Sequence, residues 1–161
     1  MVFLNSVVLA LVVLAMAATS EAQLIDKKAL TLDAAKRIVA AAETDAKAKG
    51  ARVVIAVVDD GGNLLLLQRL DETQVASVNV AIGKARTAAI YRRASKEFED
   101  QIRNGRIAAL ALADSTPLQG GLPITFAGKV IGAIGVSGET PSQDEEIARA
   151  GAEAAKSLEA K

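Results

Sequence analysis

Residues 119–138, QGGLPITFAGKVIGAIGVSG, decide the fold, because six glycines there interrupt two short runs rich in β-branched residues. The two runs have the composition of strands, and the turn sequence Ala127-Gly128-Lys129 joins them into a hairpin. Glycine inside a strand costs stability, so Gly132 and Gly135 indicate a bulge or the close approach of another backbone segment. The segment is therefore predicted to be a hairpin that either packs tightly under a helix or forms the rim of a ligand site.

The remaining elements follow from periodicity and turn chemistry. Hairpins predominate over βαβ crossovers, which favours a single α+β domain with an antiparallel sheet covered by helices. The capping box Thr140-Pro141-Ser142-Gln143 marks the start of the last helix. The predicted helices cover residues 31–49, 74–93, 95–105 and 141–158, the strands cover 53–58, 64–67, 124–126 and 130–136, and residues 107–112 are either strand or helix.

The first 22 residues differ from the rest of the chain. Residues 2–18 are almost wholly apolar, and their core is shorter than the roughly 20 residues of a membrane span. Ser20-Glu21-Ala22 then places small residues at the spacing of a cleavage site. These features predict a signal peptide over residues 1–22 and a periplasmic or secreted domain over 23–161, without membrane attachment after cleavage. Because the leader has no Lys or Arg before its apolar core, an uncleaved anchor is the alternative.

Composition excludes several kinds of chemistry. The chain has no Cys, His or Trp, and both methionines, Met1 and Met16, lie in the predicted leader. Ser-His-Asp triads, thiolate zinc sites and His-ligated metals are therefore excluded within one mature chain. With 19 basic and 19 acidic residues, nothing in the charge points to nucleic acid. Residues 59–63, DDGGN, lack the alternating spacing of a calcium loop and are explained by a turn, so no metal site is predicted.

Five segments resemble, in the same order, the GlcG/HbpS haem-binding family, which also forms the carboxy-terminal domain of PduO-type proteins. The segments are LTLDAAKRIVAAAETDAKAKG, VVIAVVDDGGNLLLLQRLD, KARTA, GGLPITFAGKVIGAIGVSG and QDEEIARAG. The resemblance spans Leu30 to Leu158. It implies a profilin-like antiparallel five-stranded sheet and a tendency to form symmetric oligomers. Members of the family are described as haem binders or as haem-degrading proteins.

The chain departs from those members of the family that bind haem through histidine. Without His, Met or Cys, an axial ligand would have to be Tyr91, a lysine such as Lys84, a carboxylate or a hydroxyl. Apolar walls with Arg or Lys on the propionates could hold a tetrapyrrole without a strong axial bond. Haem is therefore the cofactor that the resemblance implies, and its coordination by this chain stays open.

Polar residues at the edges of the predicted elements are the candidates for a ligand site. Arg69, in the family's R-(M/L)-D segment, would grip a ligand carboxylate, although a solvated pair with Asp71 is the alternative. Lys84, Thr87 and Tyr91 share one helical face, where a snorkelling lysine and a packing tyrosine are the alternatives. The glycine-rich segment would form the rim. The predicted ligand-binding residues are Arg69, Lys84, Thr87, Tyr91, Gly120, Gly121 and Pro123.

Two functional classes follow from these residues, and a purely structural role as an oligomeric accessory protein is a third alternative. The first is an exported, non-catalytic protein that binds haem or another carboxylated small molecule. The second is a small enzyme with Lys84 or Tyr91 as acid or base, Arg69 as carboxylate clamp and the amides of Gly120-Gly121 as oxyanion donors. The first is favoured because no residue has an ordinary pKa near neutrality. The small-residue helix over 74–93 also predicts a homo-oligomer.

Overall fold

Two β-hairpins form the centre of the structure, a computed structural model that describes residues 24–158. The predicted signal peptide lies outside the described residues. The helices are α1 (Leu32–Ala48), α2 (Ser77–Tyr91), α3 (Lys96–Arg103) and α4 (Pro141–Ala154), with 3₁₀ turns at Ile107–Ala111 and Ala155–Ser157. The strands are β1 (Val54–Asp59), β2 (Leu64–Arg69), β3 (Gly121–Phe126) and β4 (Lys129–Ser137).

The sheet is antiparallel throughout, with the strand order β2-β1-β4-β3. The hairpins β1-β2 and β3-β4 were both predicted, and the central pairing of β1 with β4 joins them. The described chain has four strands, so the expectation of five is wrong. Residues 107–112, the one ambiguous segment, contain a 3₁₀ turn over Ile107–Ala111. Their sequence is rich in alanine and leucine and lacks the β-branched alternation that a strand favours.

Helices cover both faces of the sheet. One face of β1 points into a core shared with α1 and α4, through Val53, Ile55 and Val57. Helix α4 contributes Ile147 and Ala148 to this core. The alternate residues of β1 pack with Ala81, Ala85, Ala88 and Ala89 of α2 on the opposite face. Because side chains alternate across a strand, one continuously apolar strand supplies both cores. The result is a three-layer arrangement with β1 and β4 buried in the middle.

The helix ends follow the sequence signals. The side chain of Thr31 accepts a hydrogen bond from the amide of Ala34 at 3.1 Å and starts α1. Gly50, with φ of +63°, follows the helix end. The predicted capping box of α4 is present between Thr140 and Gln143. Within residues 24–158, no helix is both long and apolar enough to cross a membrane.

Candidate functional site

The ammonium group of Lys84 lies in the interior, between the two helical layers. Lys84 is only 3% exposed and Asp144 only 2% exposed. The Lys84 Nζ atom donates to Asp144 Oδ2 at 2.8 Å and to the carbonyl oxygen of Val136 at 2.9 Å. Lys84 belongs to α2 and Asp144 to α4, so the pair links elements that pack on opposite faces of the sheet. The ammonium is therefore engaged within the protein and is not free to bind a ligand carboxylate.

Asp144 was missed as a partner of Lys84 because its place in the first turn of a helix explained its charge. Its second carboxylate oxygen, Oδ1, accepts a hydrogen bond from the amide of Glu139 at 3.0 Å. Burial raises the pKa of Asp144, although Lys84 and the amides of Glu139 and Gly138 act in the opposite direction. The signal available in the sequence was Lys84 itself, since a lysine on an Ala-rich buried helix requires a counter-charge.

The glycines before β3 allow the backbone to pack closely around this pair. A Cβ atom on Gly121 would lie 2.7 Å from the carbonyl carbon of Lys84 and 2.8 Å from Ser95 Oγ. A Cβ atom on Gly120, whose φ is +123°, would lie 2.9 Å from Lys84 Nζ. Both positions therefore require glycine for internal packing. Two interpretations of the glycine-rich segment were possible, a hairpin packed under a helix and the rim of a ligand site. The structure has the hairpin packed under a helix.

Thr87 and Tyr91 fasten α2 to the loop before β3. Thr87 Oγ1 donates to the carbonyl of Gly83 at 2.8 Å and accepts from the amide of Thr116 at 2.7 Å. The Tyr91 hydroxyl donates to the carbonyl of Ala113 at 2.7 Å. The Tyr91 ring also makes an edge contact with Phe98, with a centroid distance of 5.1 Å. Both hydroxyl groups have protein partners in this arrangement.

Arg69 and Pro123 lie at opposite edges of the sheet. Arg69 is paired with Val54 on edge strand β2, whereas Pro123 is paired with Ala133 on edge strand β3. Three interstrand spacings separate these edges, or about 14 Å. The structure thus brings Lys84, Gly120 and Gly121 together and leaves Arg69 apart from them. Arg69 is exposed and makes no ion pair with any residue among those described.

An open groove with a volume of about 670 Å³ lies beside the start of α1. It is formed by the segment before α1, the first turns of α1, the β3-β4 hairpin and the end of the described chain. Its apolar lining residues are Leu30, Phe126, Ile131 and Leu158, and Lys28 and Arg37 are its cations.

The charge and the size of this groove suit an amphipathic anion. Within residues 24–158 neither Lys28 nor Arg37 has an acidic partner, while Asp33, which also lines the groove, lies 3.7 Å from Lys36. The volume is within the range of about 300–1,000 Å³ typical of small-molecule sites. An apolar body could contact Phe126 and Ile131 while carboxylates reach Arg37. Sequence reasoning missed the groove because its residues come from three separate segments of the chain.

The described residues fit the organic part of haem better than its iron. They contain no His, Cys or Met, and no group of three or more acidic side chains that could hold a metal ion occurs among them. Lys84 and Tyr91, the axial ligands considered from the sequence, are both engaged in internal hydrogen bonds. A haem bound by these residues would therefore be held through its propionates and ring faces.

Comparison with known proteins identifies the family. A family model described as "Haem degrading protein HbpS-like" matches residues 30–153, and the chain belongs to this HbpS-like family. It is 42% identical to Protein GlcG of Escherichia coli K12 over 111 residues, which are 69% of this chain and 83% of GlcG. It is also 42% identical over 123 residues to an uncharacterized 15.0 kDa protein of Citrobacter freundii, covering 74% of this chain and 87% of that protein.

Solved structures agree with this assignment. A double mutant of Streptomyces reticuli HbpS is 33% identical, with a TM-score of 0.76 over 84% of this chain and 93% of that one. Klebsiella pneumoniae ORFY is 36% identical, with a TM-score of 0.76 over 85% of this chain and 100% of that one. PduOC, solved as a complex with heme, is 26% identical, with a TM-score of 0.72 over 79% of this chain and 95% of that one.

Proposed function

We propose that the protein is a non-catalytic binding protein for haem or a similar carboxylated tetrapyrrole, and that the groove beside Arg37 is its ligand site. The observation that carries the proposal is the combination of Lys28 and Arg37 with an apolar floor in a groove of about 670 Å³. Membership of the HbpS-like family and the heme complex of PduOC support the choice of ligand.

The binding role is favoured over the alternative of a small enzyme. That alternative required a free Lys84 or Tyr91 as acid or base and Arg69 as a clamp beside them. Lys84 Nζ is held by Asp144 and Val136, the Tyr91 hydroxyl is held by Ala113, and Arg69 lies on a different edge of the sheet. A proton-transfer role would therefore require breaking buried hydrogen bonds, which is expensive in the protein interior.

The proposal is tested by titrating the purified protein with haemin and recording the absorbance together with the native mass. We expect a Soret change that saturates at one haem per chain and leaves the pigment intact when a reductant is added. A flat difference spectrum would refute binding. Steady loss of the Soret band with the release of breakdown products would refute the non-catalytic part of the proposal.

We further propose that the protein acts outside the cytoplasm after removal of residues 1–22. The apolar run over residues 2–18 and the small residues of Ser20-Glu21-Ala22 support this. Amino-terminal sequencing of the protein from the cell envelope is the test. A mature chain beginning at Gln23 is expected, and an intact Met1 on a membrane-bound protein would contradict it.

A further inference from the structure

An extended segment before α1 forms one wall of the groove. It covers residues 24–30, here called the arm, and its Lys28 is one of the two cations that line the groove. Among the described residues, no hydrogen bond between main-chain groups involves the arm. A segment without backbone hydrogen bonds has little local stability of its own. Side-chain contacts must therefore hold the arm, and Lys28 with it, against the rest of the protein.

The first of these contacts is a socket in the sheet that Leu30 fills. Leu30 is only 8% exposed, whereas Leu24 and Ile25 at the start of the arm are almost fully exposed. A Cβ atom on Gly132 of β4 would overlap Leu30 Cδ1 and the carbonyl oxygen of Val58. The missing side chain at position 132 thus leaves the space that Leu30 occupies. This close approach explains why a glycine stands inside a strand at this point.

The second contact is an ion pair between the arm and the β1-β2 turn. Lys27 Nζ lies 2.5 Å from Asp60 Oδ2, and the Asp60 side chain is only 22% exposed. The neighbouring carboxylate of Asp59 is engaged by hydrogen bonds inside the turn, which leaves Asp60 as the partner of the arm. Because Lys27 immediately precedes Lys28, this pair fixes the arm one residue away from a groove cation.

We propose that Asp60 is a positioning residue for the groove, an inference that rests on the function proposed above. Leu30 seats the arm on the sheet, and Asp60 holds Lys27 so that Lys28 stays in the groove wall. Asp60 does not line the groove itself. It acts through the arm, and it favours the binding of an anionic ligand although it carries the same sign of charge as that ligand.

The sign of the effect distinguishes positioning from direct electrostatics. A carboxylate near the groove repels a ligand anion, so by charge alone Asp60→Asn would leave the affinity unchanged or raise it. Positioning predicts the opposite, because a released arm gains conformational freedom that ligand binding must then remove. Since a partly exposed ion pair is a weak contact, we expect the affinity to fall about threefold.

Limited proteolysis of the whole mature protein tests the anchoring of the arm without any ligand. Thermolysin cuts before leucine, and the bond between Ala29 and Leu30 becomes accessible only when Leu30 leaves its socket. Asp60→Asn should speed this cut about threefold, and the charge swap Lys27→Asp with Asp60→Lys should restore the slow rate. The matched control is Asp114→Asn, which removes an exposed carboxylate that does not line the groove.

Binding of iron-free protoporphyrin, followed by its fluorescence, tests the link between the arm and the groove. Asp60→Asn should bind the porphyrin about threefold more weakly, and the charge swap should recover the affinity. Asp114→Asn should bind it normally. In the unmodified protein, saturating porphyrin should slow the thermolysin cut before Leu30, because a ligand that requires the arm in place stabilises that arrangement.

An Asp60→Asn protein that keeps both the slow cut and the full porphyrin affinity would overturn the proposal. A faster cut with unchanged or tighter porphyrin binding would overturn it as well. Failure of the proposed function gives a different result, in which Arg37→Glu binds the porphyrin as well as the unmodified protein does, or neither binds it. That result would also overturn the positioning role, while the effect of Asp60→Asn on the thermolysin cut would persist.

Discussion

Lys84 on α2 and Asp144 on α4 form an ion pair 2.8 Å long, although the two helices pack on opposite faces of the sheet. The lysine reaches its partner past Gly120, where a side chain would lie within 2.9 Å of Nζ. One contact thus fixes the relative position of both helical layers at the end of β4. These contacts give Lys84 a structural role within the protein.

The first prediction is that Lys84→Met destabilises the protein strongly. Removing the ammonium leaves the carboxylate of Asp144 buried without its charge partner, which costs about 3–5 kcal/mol in the free energy of unfolding. Chemical denaturation measures this loss. The double variant Lys84→Met with Asp144→Leu should recover most of the stability, because no buried charge remains.

The control for this pair is the solvent-exposed salt bridge between Lys49 and Asp45, where Lys49→Met should cost less than about 1 kcal/mol. Equal effects of Lys84→Met and Lys49→Met would show that the buried pair is not a major stabilising contact.

The second prediction concerns Gly121. A methyl group there would overlap the backbone of Lys84, which cannot move without displacing α2, so Gly121→Ala should destabilise by about 3 kcal/mol. Gly50→Ala is the control. A Cβ atom on Gly50 meets nothing within 4 Å, so only its positive φ opposes the change, at about 1–2 kcal/mol. Thermal or denaturant unfolding measures the stability of both variants. A Gly121→Ala protein as stable as the unmodified chain would refute the close packing around Gly121.

The third prediction is a pH effect at the β1-β2 turn. Burial tends to raise the pKa of Asp59, but hydrogen bonds from Asn63 and Gly61 lower it below its ordinary value of 3.8. The stabilisation by ionised Asp59 is therefore full above that value and is lost as the pH falls through the folded-state pKa. Asp59→Asn should reduce the drop in unfolding free energy between pH 7 and pH 3.

Asp26→Asn, in the exposed segment before α1, removes one carboxylate outside the β1-β2 turn and is the control for Asp59→Asn. An Asp59→Asn protein with the full acid dependence of the unmodified chain would contradict the assignment of the lowered pKa.

The fourth prediction follows from the absence of His, Cys and Met among residues 24–158. Without a strong axial ligand the iron adds little to affinity, so iron-free protoporphyrin should bind within about threefold of haemin, a difference below about 1 kcal/mol. Fluorescence of the bound porphyrin measures its affinity directly. Haemin binding that is a hundredfold tighter would indicate that a protein atom coordinates the iron.

Local signals in the sequence predicted most of the fold. The strand pairs, the Thr31 cap of α1 and the capping box at Thr140 depend on neighbours within a few residues, and all are present. Residues 107–112 have no clear hydrophobic periodicity. The fifth strand was expected only from the resemblance to the family. Pattern alone could not show that the segment would form a 3₁₀ turn.

The site was harder to predict because its parts are distant in the sequence. Lys84 and Asp144 are 60 residues apart, and no local pattern links them. The spacing of Lys84, Thr87 and Tyr91 correctly indicated one helix, but not that each side chain would find a partner inside the protein. Arg37 and Phe126 line the same groove, although α1 and the β3-β4 hairpin are far apart in the sequence.

The most direct test of the binding proposal compares haemin with its dimethyl ester in the unmodified protein, in Arg37→Glu and in the control Arg69→Glu, an exposed arginine that does not line the groove. If Arg37 holds a propionate, Arg37→Glu should weaken haemin binding about tenfold or more, the scale of a lost charged hydrogen bond. The ester should bind the unmodified protein and Arg37→Glu equally weakly, and Arg69→Glu should retain normal affinity for haemin. Unchanged haemin affinity in a folded Arg37→Glu protein would contradict the assignment of the groove as the ligand site.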